Sequence, residues 1–380
     1  MLMMISVVFV FSTGFFDYGG QKSPYGFLFS QSLFAIVGVV IIFAFQFLSR
    51  DACYRLLSVL FVVSLIACII LPFLPHSLVV ETKGARRWLR VFGFSIAPLE
   101  FLKISMISLL ALTYTRKINQ DKKKVLKELL LLLPSIIVFT AIFFYVYVTQ
   151  NDLGQCVVCA LVLLFMAFVA GLSFRIFLYL IFGGIALGLI AIIQNSRRLE
   201  RILAWWGSVQ DFILPLFPSD VQETLRIAHS SEPYQISHSL NAISHGEWFG
   251  QGFGLGVFKL GFLSEVHTDF ILAGIAEEIG FVGFFAVGCL FLFLALTVFK
   301  LAICMKSKRD FLFCSGYGFC LLVTFFMNLG GITSMIPLKG IAVPFLSYGG
   351  SSMIANSIAI GAVLCIFKNA GEKNNVEFGR

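Results

Sequence analysis

Carboxylates and cations gather at the edges of long apolar runs, where they could do chemistry at a membrane boundary. The sharpest group is Glu265-Val266-His267-Thr268-Asp269-Phe270, which closes a glycine-rich stretch and opens an apolar run. A carboxylate at that junction can meet both a lipid headgroup and an aqueous acceptor. To act as a general base, Asp269 must be ionised and close to the proton it takes. A helix N-terminus favours ionisation, while Glu265 nearby and partial desolvation oppose it. The blander reading is that Thr268 or Asp269 caps the following helix. Further on, Glu277 and Glu278 would lie about 12 Å deep at ~1.5 Å per residue, where charge needs a polar cavity or buried partners.

The second group is cationic: Lys83-Gly84-Ala85-Arg86-Arg87-Trp88-Leu89-Arg90. It is either a solvated loop drawn to anionic lipid or a clamp for a membrane-borne anion such as a pyrophosphate, because Arg and Lys bind phosphate oxygens strongly. Trp88 would then sit at headgroup level. Glu100 and Lys103 are three apart and can pair on one helix face. Asp152, in Gln150-Asn151-Asp152-Leu153-Gly154-Gln155, reads as a turn residue. Gly250, Gly252, Gly254 and Gly256 alternate strictly, giving a backbone able to approach a ligand closely. They complete no nucleotide fingerprint, which argues against ATP and NAD.

The elements that must position these groups are membrane helices. The chain has 380 residues, 59% hydrophobic and 13% charged, against about 45–50% and 25% in soluble domains. Its mean hydropathy is +0.94. This predicts an all-α integral membrane protein, a single polytopic domain over 1–380 with about ten transmembrane helices. The spans fall near 2–16, 26–48, 56–74, 99–115, 129–148, 156–171, 176–194, 270–299, 311–329 and 350–367. Residues 1–16 lack a basic leader and read as a first span, with almost no tail before it. One large extracytoplasmic loop, 195–269, includes an aromatic stretch at 202–217 that reads as interfacial or re-entrant.

An even number of spans puts both termini on one side, and 16 Lys and Arg face that side against 11 on the other. Both termini are therefore expected in the cytoplasm. The net charge of +8 then reflects orientation rather than nucleic-acid binding. The segment 83–90 strains the rule, since it places its cations outside. Nine cysteines lie mostly in apolar runs and read as packing residues. Cys156 and Cys159 have no second pair nearby and do not make a zinc or redox motif.

Lys83-Gly84-Ala85-Arg86-Arg87-Trp88, Asp152-Leu153-Gly154, Glu265 to Ile271 with Glu277-Glu278-Ile279-Gly280, and Pro344-Phe345-Leu346-Ser347-Tyr348-Gly349-Gly350-Ser351-Ser352 occur in the order seen in SEDS proteins. The chain resembles their FtsW/RodA group over nearly its whole length, and Lys339-Gly340 with the Gly-Gly-Ser-Ser ending looks more like the division branch than the elongation branch. The resemblance implies a peptidoglycan glycosyltransferase of the bacterial cytoplasmic membrane. It would polymerise lipid II, an undecaprenyl-pyrophosphate-linked disaccharide peptide, at the outer face. Its implied partners are a class B penicillin-binding transpeptidase and membrane proteins of the division complex. The family's catalytic aspartate carries over to Asp269. Substrate-binding expectations fall on Lys83, Arg86, Arg87, Trp88, Glu100, Lys103, Asp152, Glu265, His267, Lys339, Ser347, Tyr348, Gly349, Gly350 and Ser351. The departures are Ala97-Pro98-Leu99-Glu100, Asn151 before Asp152, Ser264 before Glu265, and the short N-terminal tail.

The resulting expectation is inverting transfer. Asp269 takes the proton of an acceptor hydroxyl as it attacks the donor's anomeric carbon, and Arg86, Arg87, Lys103 and Lys339 are candidates to stabilise the departing lipid pyrophosphate. A divalent cation, Mg or Mn, could share that role, although no dedicated ligand set stands out. Three rivals remain: a lipid II flippase, which Glu100, Lys103, Glu277 and Glu278 at membrane depth would suit; an elongation-type polymerase; and a silent scaffold for a transpeptidase.

Overall fold

The computed structural model of the protein describes residues 1–14, 23–82, 85–91, 94–117, 125–194, 196–227, 234–263, 265–337 and 340–378. The helices are α1 (Leu2–Thr13), α2 (Pro24–Phe45), α3 (Arg50–Ile70), α4 (Pro98–Lys117), α5 (Val125–Gln150), α6 (Leu153–Val169), α7 (Phe174–Ile193), α8 (Ser196–Ile213), α9 (Ser219–Leu225), α10 (Tyr234–His245), α11 (Ile271–Ile303), α12 (Lys308–Ile332) and α13 (Gly350–Phe378). Every apolar run expected to span is helical over most of its length. The physical reason is that a backbone in hydrocarbon must satisfy its own N–H and C=O groups.

Five helices are long and apolar enough to cross a membrane: Pro24–Phe45, Arg50–Phe73, Ile271–Ile303, Lys308–Ile332 and Gly350–Ala370. Leu2–Thr13, Ser135–Gln150, Leu153–Val169 and Phe174–Ile190 are shorter apolar helices. Val59, Val62, Val63 and Ile66 on α3 stand exposed, which suits a lipid-facing stripe and not a watery one. On α6, Cys159 is buried and Cys156 is half-buried, in keeping with packing roles.

The chain forms two compact units. The first comprises Met1–Phe29, Phe182–Phe291 and Thr324–Tyr348, and the second Ser30–Ile181, Leu292–Val323 and Gly349–Arg380. In the second, the all-α expectation needs correction. Strands β1 (Val79–Thr82), β2 (Ala85–Val91) and β3 (Phe94–Ile96) make an antiparallel sheet in the order β1-β2-β3. Val79 pairs with Leu89 and Glu81 with Arg86, with an irregularity between Val80 and Glu81, and Leu89 pairs with Ile96. The segment expected as an exposed cationic loop is therefore the central strand of this sheet.

In the first unit, the helix over the span expected at 270–299 carries a break that the sequence did not signal: α11 is interrupted at Gly280, whose backbone is at φ 67°. That left-handed geometry favours glycine. Groups that lose their helical partners at the break are met by residues from the glycine-rich stretch. Gln251 N and Gly252 N donate to the carbonyls of Glu277 and Glu278, both at 3.0 Å, while Phe281 N and Val282 N donate to the carbonyls of Glu247 and Trp248.

The side chains of Glu277 and Glu278 are tied into the same stretch. Glu277 Oε1 accepts from Phe258 N at 3.0 Å and lies 3.3 Å from His245 Nδ1. Glu278 Oε1 takes Lys259 Nζ at 2.6 Å and the Ser12 hydroxyl. The Lys259 and Glu278 side chains are 2% and 0% exposed, so each neutralises a charge that has no route to water. Long loop 195–269 is correspondingly structured: Trp205 Nε1 donates to Ser334 O at 2.7 Å, and Ser239 Oγ to Ile332 O at 3.0 Å.

Removing one partner of the buried pair should strand the other's charge. Lys259→Met alone should lower stability by about 3–5 kcal/mol, and Lys259→Met with Glu278→Leu should recover most of that loss. Thermal unfolding in detergent is the measurement; a single variant that melts with the wild type would show the pair to be dispensable.

Candidate active site

In the first unit, Asp269 ends a turn that runs from Glu265, a residue at φ 61°. Thr268 N donates to Glu265 O at 3.1 Å, and Phe270 N closes on the same carbonyl at 3.4 Å. Gly274 N then donates to Phe270 O at 3.1 Å. The first helical carbonyl is thus Phe270, not that of Thr268 or Asp269, the expected caps. Asp269 is half-buried at the mouth of the helix, and Glu265 is exposed.

The segment 340–348 supports this turn from its main chain. Tyr348 N donates to His267 O at 2.8 Å, and Ser347 Oγ to Thr268 O at 2.7 Å. Val343 N in turn donates to Ser347 Oγ at 2.8 Å. Phe27 packs against the rings of His267 and Tyr348, with centroids 4.9 and 5.0 Å away. His267, Ser347 and Tyr348, expected to bind substrate, thus take part in holding the turn together. Gly340 (φ 83°) passes close to the carboxylate: a Cβ there would stand 3.7 Å from Asp269 Oδ2. Asp269, Asn328, Gly331, Gly340 and Ile341 help line a small recess open to the surface.

In the second unit, most of the expected polar residues form one connected network. Arg87 Nε and Nη2 donate to the carbonyls of Gln150 and Asn151 at 2.9 and 2.8 Å, and Nη1 lies 3.4 Å from Asp152 Oδ2. Asp152 caps α6 by accepting from Gln155 N at 3.2 Å, as a turn residue would. Burial pushes the Asp152 carboxyl above its ordinary value, against the pull of Arg87 and the Gln155 amide. Gln155 bridges onward, accepting from Lys103 at 3.1 Å and donating to Glu100 at 3.0 Å. Lys103 and Glu100 pair at 3.0 Å, as their spacing predicts, and the lysine side chain is 3% exposed.

Arg86 has other partners: the carbonyls of Pro72 and Leu74, Glu81 across the sheet at 3.4 Å, and His76. Successive residues of a strand point to opposite faces, so Arg86 and Arg87 do not converge as a single clamp. All three nitrogens of each guanidinium are engaged within the chain. Trp88 is half-buried on the same strand. Ser351 Oγ accepts from Ala97 N at 2.8 Å, joining the start of α13 to the approach to α4, and a Cβ on Gly350 would strike the Phe34 ring. Gly349 has room for one. Lys83, Lys339 and Ser264 lie outside the described residues.

Three polar residues that were not among the expected site residues make contacts with them or with the buried carboxylates. Gln155 links two ion pairs, Lys259 neutralises Glu278, and Asn328 binds the main chain of Asp269. Asn328 had a usable signal, being a lone amide inside an apolar run. Among the described residues, no three His, Cys, Asp or Glu side chains converge in a group that could hold a metal ion.

A family model described as Cell cycle protein, FtsW/RodA/SpoVE, matches residues 1–372. A Helicobacter pylori protein named probable peptidoglycan glycosyltransferase FtsW is 41% identical over 343 residues, 90% of this chain and 88% of the relative. A Nitrosomonas europaea protein of the same name is 33% identical over 353 residues, covering 91% and 84%. Two solved structures share the fold, each at 24% identity. One, described as "Structural coordination of polymerization and crosslinking by a peptidoglycan synthase complex", has a TM-score of 0.70 with 97% and 96% covered. The other, Thermus thermophilus rod shape determining protein RodA, has a TM-score of 0.63 with 97% and 95% covered.

Arg87→Gln should act on folding before it acts on any ligand, because it frees two carbonyls and leaves buried Asp152 without its cation. A loss of about 1–3 kcal/mol is expected, read as a lower unfolding temperature in detergent. An unchanged melting curve would return Arg87 to the role of a surface cation.

Proposed function

The chain belongs to the FtsW/RodA/SpoVE family of cell cycle proteins, and we propose that it builds septal glycan strands from lipid II with Asp269 as the general base. It is a multi-pass membrane protein and a peptidoglycan glycosyltransferase. In the proposed reaction, the acceptor's sugar hydroxyl gives its proton to an Asp269 carboxylate oxygen while its oxygen attacks the anomeric carbon of the donor. The bond from that carbon to the lipid pyrophosphate breaks, the electron pair leaves with the pyrophosphate, and the configuration inverts. The observation that carries this reading is half-buried Asp269 at the mouth of α11, beside a recess, in a turn whose Thr268 and Asp269 carbonyls accept from Ser347 Oγ and Asn328 Nδ2.

The departing pyrophosphate needs a cation. Arg86, Arg87 and Lys103 are engaged by internal acceptors. Lys339, which directly precedes Gly340 in the sequence, is the remaining member of the expected set and is assigned that role. The flippase reading is not favoured, because the charges that motivated it are tied in pairs: Glu100 with Lys103, Glu278 with Lys259, and Glu277 with His245 and main-chain amides. A class B penicillin-binding transpeptidase is the proposed partner, since a glycan strand must be crosslinked after it is polymerised.

Asp269→Asn keeps size and hydrogen bonding but cannot accept a proton at neutral pH. Polymerisation of purified lipid II should fall about 10²–10⁴-fold, with expression and lipid II binding retained. A folded variant that still makes long strands at more than about a tenth of the wild-type rate falls outside that range and removes Asp269 as the base.

The proposed orientation has both termini in the cytoplasm, following the Lys and Arg bias of 16 against 11. Single cysteines introduced at positions 85 and 230 of a cysteine-free protein should label from outside, and one at 120 only from the cytoplasm. Labelling of position 85 solely from the cytoplasmic side would overturn the topology.

A further inference from the structure

The recess beside Asp269 is partly walled by Asn328 of α12, a residue only 4% exposed. Its Nδ2 donates to two carbonyls, Asp269 O at 2.7 Å and Ile341 O at 2.6 Å. Those acceptors fix the amide's orientation, because the flipped form would set Oδ1 against two carbonyl oxygens. Oδ1 consequently faces elsewhere and has no hydrogen-bond partner among the described residues. A buried amide with an unpaired acceptor carries a free-energy penalty that an apolar side chain would not. Packing therefore does not account for asparagine here, and its two-donor grip does.

What the grip joins is specific. One end is the main chain of the residue that carries the carboxylate, whose carbonyl precedes the first helical bonds, made to Phe270 O. The other is the segment whose Gly340 passes 3.7 Å, at its Cβ position, from Asp269 Oδ2. We infer that Asn328 is a positioning residue for the transfer reaction: by holding the Asp269 and Ile341 carbonyls together, it sets where the carboxylate stands in the recess. The inference rests on Asp269 being the base.

Only a side chain with two adjacent N–H donors can make this grip. Asn328→Asp has nearly the same size but turns acceptors toward two carbonyls, and Asn328→Ala removes the donors without adding charge. A misplacement of about 1 Å can lower a catalysed rate about 10²-fold. With full-length protein in lipid and purified lipid II as the probe, kcat should fall about 10–10²-fold in both variants while KM and lipid II binding stay near wild type. Asn328→Gln, which keeps the amide on a longer stem, should recover part of kcat.

Three results would overturn the inference: a raised KM with kcat intact, which makes Asn328 a substrate contact; a lower unfolding temperature with the folded fraction turning over normally, which makes it structural; or full activity of both variants. The two readings fail separately. An active Asp269→Asn protein removes the base and this inference with it, whereas an inactive Asp269→Asn beside fully active Asn328 variants removes this inference alone.

Discussion

A peptide group that cannot reach water must find its partner within the chain, and the break in α11 at Gly280 is where this protein departs furthest from the simplest solution. A continuous helix would satisfy every interior group between Ile271 and Ile303 by itself, leaving only those of its end turns. Instead, residues 247–252 donate to and accept from the interrupted ladder, giving the Glu277 and Glu278 carbonyls and the Phe281 and Val282 amides partners there. The exchange also brings Phe258 and Lys259 against Glu277 and Glu278, which could not otherwise lie buried with their charge. The glycine-rich stretch, the break and the two carboxylates are therefore one construction. Its consequence for Asp269 is that only a short helical piece, Ile271 to Ile279, carries the reactive turn, and that piece is anchored at its far end.

The near end is held differently. The carbonyls of the Glu265–Asp269 turn are gripped one by one, by Tyr348 N, Ser347 Oγ and Asn328 Nδ2. Holding a turn by its main chain fixes the origin of the Asp269 side chain while leaving the residue half-exposed, as the proposed role of general base requires.

Helix positions were legible because apolar runs near the thickness of a bilayer have few other stable forms. Asp269 was legible from its place between a glycine-rich stretch and an apolar run, and Glu100 with Lys103 from their spacing. The sheet was not, because Arg86, Arg87 and Arg90 in quick succession read as a solvated loop; the alternation of Arg86, Trp88 and Arg90 against Arg87, Leu89 and Val91 was present but masked by charge. The helix break was equally hidden. One glycine in an apolar run signals little, and the residues that complete the interrupted ladder lie upstream. Nor could spacing show what holds Asp269, since Asn328 and Ser347 act across separations of 59 and 79 residues.

The distribution of charge narrows what can stabilise a pyrophosphate leaving group. At an effective dielectric near 20, two unit charges about 4 Å apart interact by about 4 kcal/mol, so one uncommitted cation is a large effect. An ion pair is a dipole whose attraction for a third charge falls off much faster. Arg87 with Asp152 and Lys103 with Glu100 are pairs of this kind, joined through Gln155 into a network with no net charge. Arg86 faces Glu81. These cations tie the second unit together, and their positive charge is already answered. A developing phosphate charge needs a cation not neutralised in this way, and Lys339, next in sequence to Gly340, is the one assigned to it in the proposed reaction.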